Sequence, residues 1–204
     1  MMKAVSVPGF FRMFYPSLCW QVQEAAETAI YLTFDDGPHP DITLRVLDIL
    51  DTYQAKATFF CVGENVSRYP NVFSEIKKRG HRVGNHTYNH LNGWKTPLNK
   101  YYENVNKCRE WVDSDLFRPP YGRITSAQIQ TLKKKFTLIM WSVLSYDYDA
   151  ETTPEECFEY VVNNAESGSI VVFHDSVKAS KNMFYALPKI LAHYTSLGFT
   201  FKPL

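Results

Sequence analysis

The chain has 204 residues, 45% of them hydrophobic and 21% charged, the proportions of one soluble globular domain. A formal net charge of +1 without any Lys/Arg cluster leaves no electrostatic footprint for nucleic acid. No apolar run approaches the roughly 20 residues that a membrane-spanning helix needs.

Residues 1–27 read as an N-terminal extension to a main domain over 28–204. Phe10, Phe11, Phe14, Leu18 and Trp20 fall close to one helical face, broken by Pro16. The expectation is packing over the floor of the domain. The sharper alternative is weak contact of residues 10–20 with a membrane surface, helped by Lys3 and Arg12. Pro8 and Gly9 interrupt any apolar signal core, so no secretory signal is seen. The expected location is cytoplasmic or peripheral at the inner membrane face. Cys19, Cys61, Cys108 and Cys157 form no CxxC pair, and a reducing compartment is compatible with their use.

From residue 28 strand and helix patterns alternate, which predicts parallel strands joined by helical crossovers. Strands are predicted over 29–34, 57–63, 81–84, 116–118, 136–143, 169–173 and 199–201. Helices are predicted over 41–53 with Asp41 as N-cap, 70–79 closed by Gly80, 98–112, 126–135, 154–166 with Pro154 in its first turn, and 181–194. Polar clusters fall at the carboxyl ends of several strands: Asp35-Asp36, His86 to His90, Arg118 to Gly122, Tyr146-Asp147-Tyr148, and His174-Asp175. A parallel α/β barrel collects its functional groups at those ends. Buried there as core, the charged groups would need partners.

The stretch Leu32 to Pro40 runs from an apolar strand into two adjacent carboxylates and a Gly-Pro turn. Neighbouring side chains alternate along extended backbone, so Asp35 and Asp36 can take separate roles. Alone, they would read as turn and cap residues. His86 and His90 stand four apart, a spacing that on one face of a helical turn brings two imidazoles to one metal. By itself the pair reads more readily as two unrelated polar histidines. A carboxylate from another strand end would complete a two-His, one-carboxylate site with water in the fourth position. A second Asp beside it could serve as base, and His174 could protonate a leaving amine.

Thr33-Phe34-Asp35-Asp36-Gly37-Pro38, His86-Thr87-x-x-His90, Arg118-Pro119-Pro120-Tyr121-Gly122, Trp141-Ser142 with Asp147, and Val172-Phe173-His174-Asp175 resemble, in order, the motifs of the polysaccharide deacetylases. This is carbohydrate esterase family 4, the NodB-homology domain, and the likeness spans 28 to about 204. It implies a deformed (β/α)7 barrel with its active site at the C-terminal strand ends, and a metal-dependent hydrolase that removes N-acetyl groups from an amino sugar or polysaccharide. It implies Asp36, His86 and His90 as ligands of a divalent metal, zinc first, with cobalt, nickel or iron also compatible. Asp35 would be the general base, oriented and kept ionised by Arg118. The Tyr121 backbone N–H would stabilise the oxyanion, His174 would be the general acid with Asp147 holding it protonated, and Tyr148 and Val172 would line the acetyl pocket.

Three positions depart from the family pattern: Leu144 and Tyr148 stand where Asp and Trp are usual, and Val172 where Leu is usual. Asp149 is a competitor for the role of Asp147. A glycan-binding module without activity and a deacylase of a lipid-linked envelope sugar are the alternatives on the same fold. Carbohydrate is the expected partner, and oligomeric state is left open.

Overall fold

The alternation along one strand sorts the molecule into an inside and an outside. In β2 (Ala29–Asp35), Ile30, Leu32 and Phe34 join the main hydrophobic cluster beneath the helices, whereas Ala29 and Tyr31 belong to a separate cluster with Phe60, Leu116, Ile139 and Ile170. Thr33 and Asp35 continue the second set, so β2 turns an apolar base and a polar top toward the barrel interior. The computed structural model describes residues 3–7, 13–23 and 28–204.

The other described strands are β1 (Leu18–Cys19), β3 (Thr58–Cys61), β4 (Arg82–Asn85), β5 (Leu116–Phe117), β6 (Thr137–Ile139), β7 (Val143–Leu144), β8 (Ile170–His174) and β9 (Thr200–Phe201). Their order is β1-β6-β5-β4-β3-β2-β8-β7, with β9 added on β2, and every ladder is parallel. Helices α1 (Ile42–Thr52), α2 (Gly63–Arg68), α3 (Pro70–Lys78), α4 (Leu98–Arg109), α5 (Ser126–Leu132), α6 (Pro154–Val162) and α7 (Ser180–Ser196) supply the crossovers. Capping boxes, Thr125 with Gln128 and Thr153 with Glu156, start α5 and α6.

Closure of the barrel differs from the single strand predicted over 136–143. That stretch bends: β6 pairs with β5, β7 pairs with β8, and Met140, Trp141 and Ser142 carry the chain across. The Met140 N–H donates to the Cys19 carbonyl (2.7 Å), and the Ser142 N–H to the Ile170 carbonyl (3.0 Å). β1 lies beside β6, and just beyond it the Val22 N–H donates to the Gly168 carbonyl, below β8. Counting 137–144 as one bent strand and β9 as an appendage, β1, β2, β3, β4, β5, β6–β7 and β8 make the seven positions of a deformed (β/α)7 barrel.

Among the described residues, the helical face predicted across 10–20 does not extend through 18–20. Phe10, Phe11 and Arg12 lie outside the described residues. Leu18 is in strand and Trp20 follows it, both buried against Phe117, Phe136 and Leu138, while Phe14 is 72% exposed. Residues 18–19 pair with β6, so the sheet includes part of the stretch read as an extension. Helix α2 had no counterpart among the predicted elements: residue 63, expected to end a strand, opens a helix. Asp41 stands at the N-cap of α1, but its side chain makes no cap; His39 Nδ1 instead faces the Asp41 and Ile42 N–H groups at 3.3 Å. The four cysteines form no disulfide. Among the described residues no helix is long and apolar enough to cross a membrane.

Candidate active site

Asp35 is the last residue of β2, in register with His174, the last residue of β8. Asp36 leaves the strand with φ of 81°, and this left-handed turn swings its carboxylate away from that of Asp35. Strand alternation was therefore the wrong reason for a correct separation. Such a conformation is costly for a non-glycine residue and persists where neighbours hold it. Asn65 does so by donating from its side chain to the Asp36 carbonyl (2.8 Å). On the other flank the Gly37 N–H donates to Asp175 Oδ1 (3.0 Å), and the Thr43 hydroxyl donates to Asp175 Oδ2. A Cβ at Gly37 would stand 2.0 Å from that Oδ2, so no larger residue fits.

His86 and His90 follow β4 on a loop, not a helical turn, with Thr87 and His90 at φ of 63° and 55°. Asparagine side chains replace helical hydrogen bonds there. Asn85 Oδ1 accepts from the Thr87 N–H (2.9 Å), and Asn104 Oδ1 accepts from Tyr88 (2.8 Å) and Asn89 (3.1 Å). The buried His86 ring donates Nδ1–H to the Arg118 carbonyl at 2.8 Å, which leaves the Nε2 lone pair free. Burial holds this imidazole down at about 4 against the opposing pull of Asp35, so it is neutral at pH 7. His90 Nδ1 meets the Tyr121 hydroxyl (3.1 Å), and its Nε2 lies 3.1 Å from Asp36 Oδ1; His86 Nε2 is 3.9 Å from the same oxygen.

Arg118, fully buried after β5, reaches through the barrel. Its guanidinium donates to Asp35 Oδ1 (2.7 Å), the Thr33 hydroxyl (2.7 Å) and the Met140 carbonyl (2.9 Å), and lies 4.2 Å from the Phe60 ring centroid. His174 donates from Nδ1 to Asp147 Oδ1 (2.8 Å), and its backbone N–H donates to Asp147 Oδ2 (2.7 Å). Burial lowers the His174 imidazole, but Asp147, with help from Asp36 and Asp35, more than reverses this and carries it to about 9. Asp149 is no competitor for Asp147, because it is ion-paired to Lys3 at 3.0 Å.

These groups open into one cleft of about 650 Å³ that includes Asp35, Asp36, His86, His90, Tyr121 and His174 among its lining. A profile of the family described as polysaccharide deacetylase matches residues 23–137. The chain belongs to the polysaccharide deacetylase family. A peptidoglycan-N-acetylglucosamine deacetylase of Bacillus cereus is 38% identical over 189 residues, covering 89% of this chain and 88% of the relative. A chitooligosaccharide deacetylase of Azorhizobium caulinodans is 31% identical over 198 residues, covering 87% and 93%. Among solved structures, a peptidoglycan N-acetylglucosamine deacetylase in complex with 4-naphthalen-1-yl-N-oxidanyl-benzamide superposes with a TM-score of 0.88 at 29% identity, covering 97% of this chain and 95% of that one.

In this member of the family one donor set fits a metal ion. Ligand atoms of Asp36, His86 and His90 lie within 4.8 Å of one another, and buried Asp36 Oδ1 faces the two imidazoles, 3.1 Å from His90 Nε2 and 3.9 Å from His86 Nε2. Two ligands held about 2.1 Å from a common ion stand roughly 3–4 Å apart, so little adjustment is required. Burial would raise the Asp36 carboxyl, yet His90, His174 and His86 carry it well below the usual carboxylate range. The three departures from the family pattern, Leu144, Tyr148 and Val172, all line the cleft, as does Trp141. Asn104 and the Met140 carbonyl position the site without having been named from the sequence, and Thr33 and Asp175, present in its motifs, had been given no role. Thr33 was findable, because it shares strand parity with Asp35; the partners of the others lie 15 to 138 positions away.

Proposed function

We propose that this polysaccharide deacetylase is a metal-dependent hydrolase that removes N-acetyl groups from amino sugars of a peptidoglycan- or chitin-like glycan. The observation that carries the reading is the two-sided cleft. Asp36, His86 and His90 converge on one side, and His174 held by Asp147 stands at the end of the strand next to Asp35.

When bound, a divalent cation would supply Lewis acidity toward the amide carbonyl and acidify water. Two imidazoles and a carboxylate suit zinc, with cobalt, nickel and iron compatible. Asp35 accepts a proton from the attacking water while Arg118 fixes the carboxylate orientation. The Tyr121 backbone N–H donates to the oxyanion as the carbonyl becomes tetrahedral. His174, protonated at neutral pH, gives its Nε2 proton to the departing amine. Tyr148 and Val172 form the wall that receives the acetyl methyl.

Acetate release from chitin oligomers and peptidoglycan fragments, with metal content measured on the same sample, tests the reading. Asp35→Asn is expected to abolish turnover and keep the metal, whereas Asp36→Asn loses both. Glycan binding with no acetate released under zinc, cobalt or nickel would establish an inactive binding module instead. A peripheral membrane location, and with it a lipid-linked substrate, draws support only from exposed Met13 and Phe14. Met13→Ser with Phe14→Ser is expected to reduce sedimentation with anionic liposomes, and unchanged sedimentation removes that support.

A further inference from the structure

Among the described residues, Asp35 and Asp36 are the carboxylates that line the cleft, and both face inward to Arg118 and the histidines. Besides His174, the remaining charged residues of the lining are the cations Arg123 and Lys178, and both are exposed. Arg123 follows Tyr121 and Gly122, beside His90. Its guanidinium lies 5.3 Å from the ring centroid of Trp94, an exposed indole whose N–H donates to the Ile124 carbonyl (3.2 Å). Lys178 stands on the opposite flank, beside the general acid. Its ammonium lies 5.3 Å from the ring of Tyr148, which packs edge-on against His174 at 4.9 Å.

Neither cation takes part in any ion pair among the described residues, although elsewhere Arg79 engages Asp48, Asp51 and Glu75, and Arg82 engages Asp115. Asp149 feels the Lys178 charge but is itself paired with Lys3. Other surface cations, Lys100 and Lys134 among them, also make no ion pair among the described residues; what sets Arg123 and Lys178 apart is that they line the cleft, one beside Tyr121 and one beside Tyr148. The aromatic face under each limits where its charge can wander. Both line the same cleft as the reacting groups and are exposed to solvent.

We infer that the cleft selects N-acetylated glycans that carry carboxylates on sugars flanking the reacting unit over neutral glycans of equal length. The inference rests on the deacetylase reading above and names the substrate class within it. An exposed ion pair changes binding by roughly 2- to 5-fold, so the two cations together set a preference of about 4- to 25-fold that salt weakens.

The test compares kcat/KM for a chitin tetrasaccharide with that for a tetrasaccharide of alternating N-acetylglucosamine and N-acetylmuramic acid, at low and high sodium chloride. The wild-type protein is expected to favour the carboxylate-bearing substrate at low salt, with the advantage carried in KM. Arg123→Gln and Lys178→Gln should each lower the ratio between the substrates, and the double variant should bring it near unity. Arg123→Lys and Lys178→Arg should keep it, which loss of folding would not reproduce. A wild-type ratio at or below one, or a ratio unmoved by salt and by the double variant, overturns the inference while acetate release still upholds the deacetylase. Failure of the wild-type protein, loaded with metal, to turn over either substrate removes the deacetylase reading itself.

Discussion

His174 shows how far a single residue could be read in advance. Its place at a strand end, its partner Asp147 and the charge that this partner maintains were implied by the motif pattern, but not the burial that opposes it. The imidazole is buried, which alone would leave it neutral, and the Asp147 carboxylate reverses the sign. On the mechanism proposed above, in which a protonated His174 is the acid, activity should fall as pH rises through its pKa. Asp147→Asn is expected to move the upper limb of the kcat/KM–pH profile from near 9 toward or below the ordinary histidine value of about 6.5, with part of the activity surviving on the acid side. A bound cation offsets the contribution of Asp36, so the metal-loaded limb should start somewhat lower in both proteins. An unmoved limb would mean that another group supplies the proton. His86 is the counterexample, because burial, helped by His90, outweighs Asp35 and Asp36 and sets its direction, and the carbonyl of Arg118 chooses its tautomer. Its spacing from His90 was visible, but not the asparagines that hold the loop.

At the scale of elements, the parallel alternation and most boundaries followed from periodicity, as Gly80 and Pro154 illustrate. The failures came where tertiary pairing overrode local pattern. Residues 136–143 have the composition of one strand, yet no single straight strand can pair with β5 and β8 at once, so the chain bends at Met140–Ser142. Leu18 and Trp20 lie on a helix-like period, but an unfilled place beside β6 takes them as strand and core. Trp20 is 8% exposed and packed within the same cluster as Phe117, Phe136 and Leu138. Trp20→Ala is expected to destabilise the protein by about 3–5 kcal/mol, measured by chemical denaturation. A change below about 1 kcal/mol would show that the first turn of chain only drapes over the barrel.

For the whole molecule, the proposed metal triad joins segments from two loops, so an ion bound there would favour the folded state over the unfolded one. At a hundredfold excess over Kd this adds about 2.7 kcal/mol, and chelation should lower Tm by about 5–10 °C. Asp36→Asn should abolish that difference, and Asp35→Asn should retain it; equal Tm with and without metal in the wild type would count against the triad as the site. Fold and triad were legible because the motifs recur in order along the chain. The cations Arg123 and Lys178 were not, since only folding reveals which charges line the cleft. One bend carries a further consequence. Met140 ties β1 and the guanidinium of Arg118, Trp141 walls the cleft, and Ser142 fastens β8. The clasp of the hoop is thus also the anchor of the guanidinium that holds Asp35, the proposed base, and an insertion of even one residue there would open the ring and release Asp35 together, whereas the same insertion after α7, beside Gly198, would trouble neither.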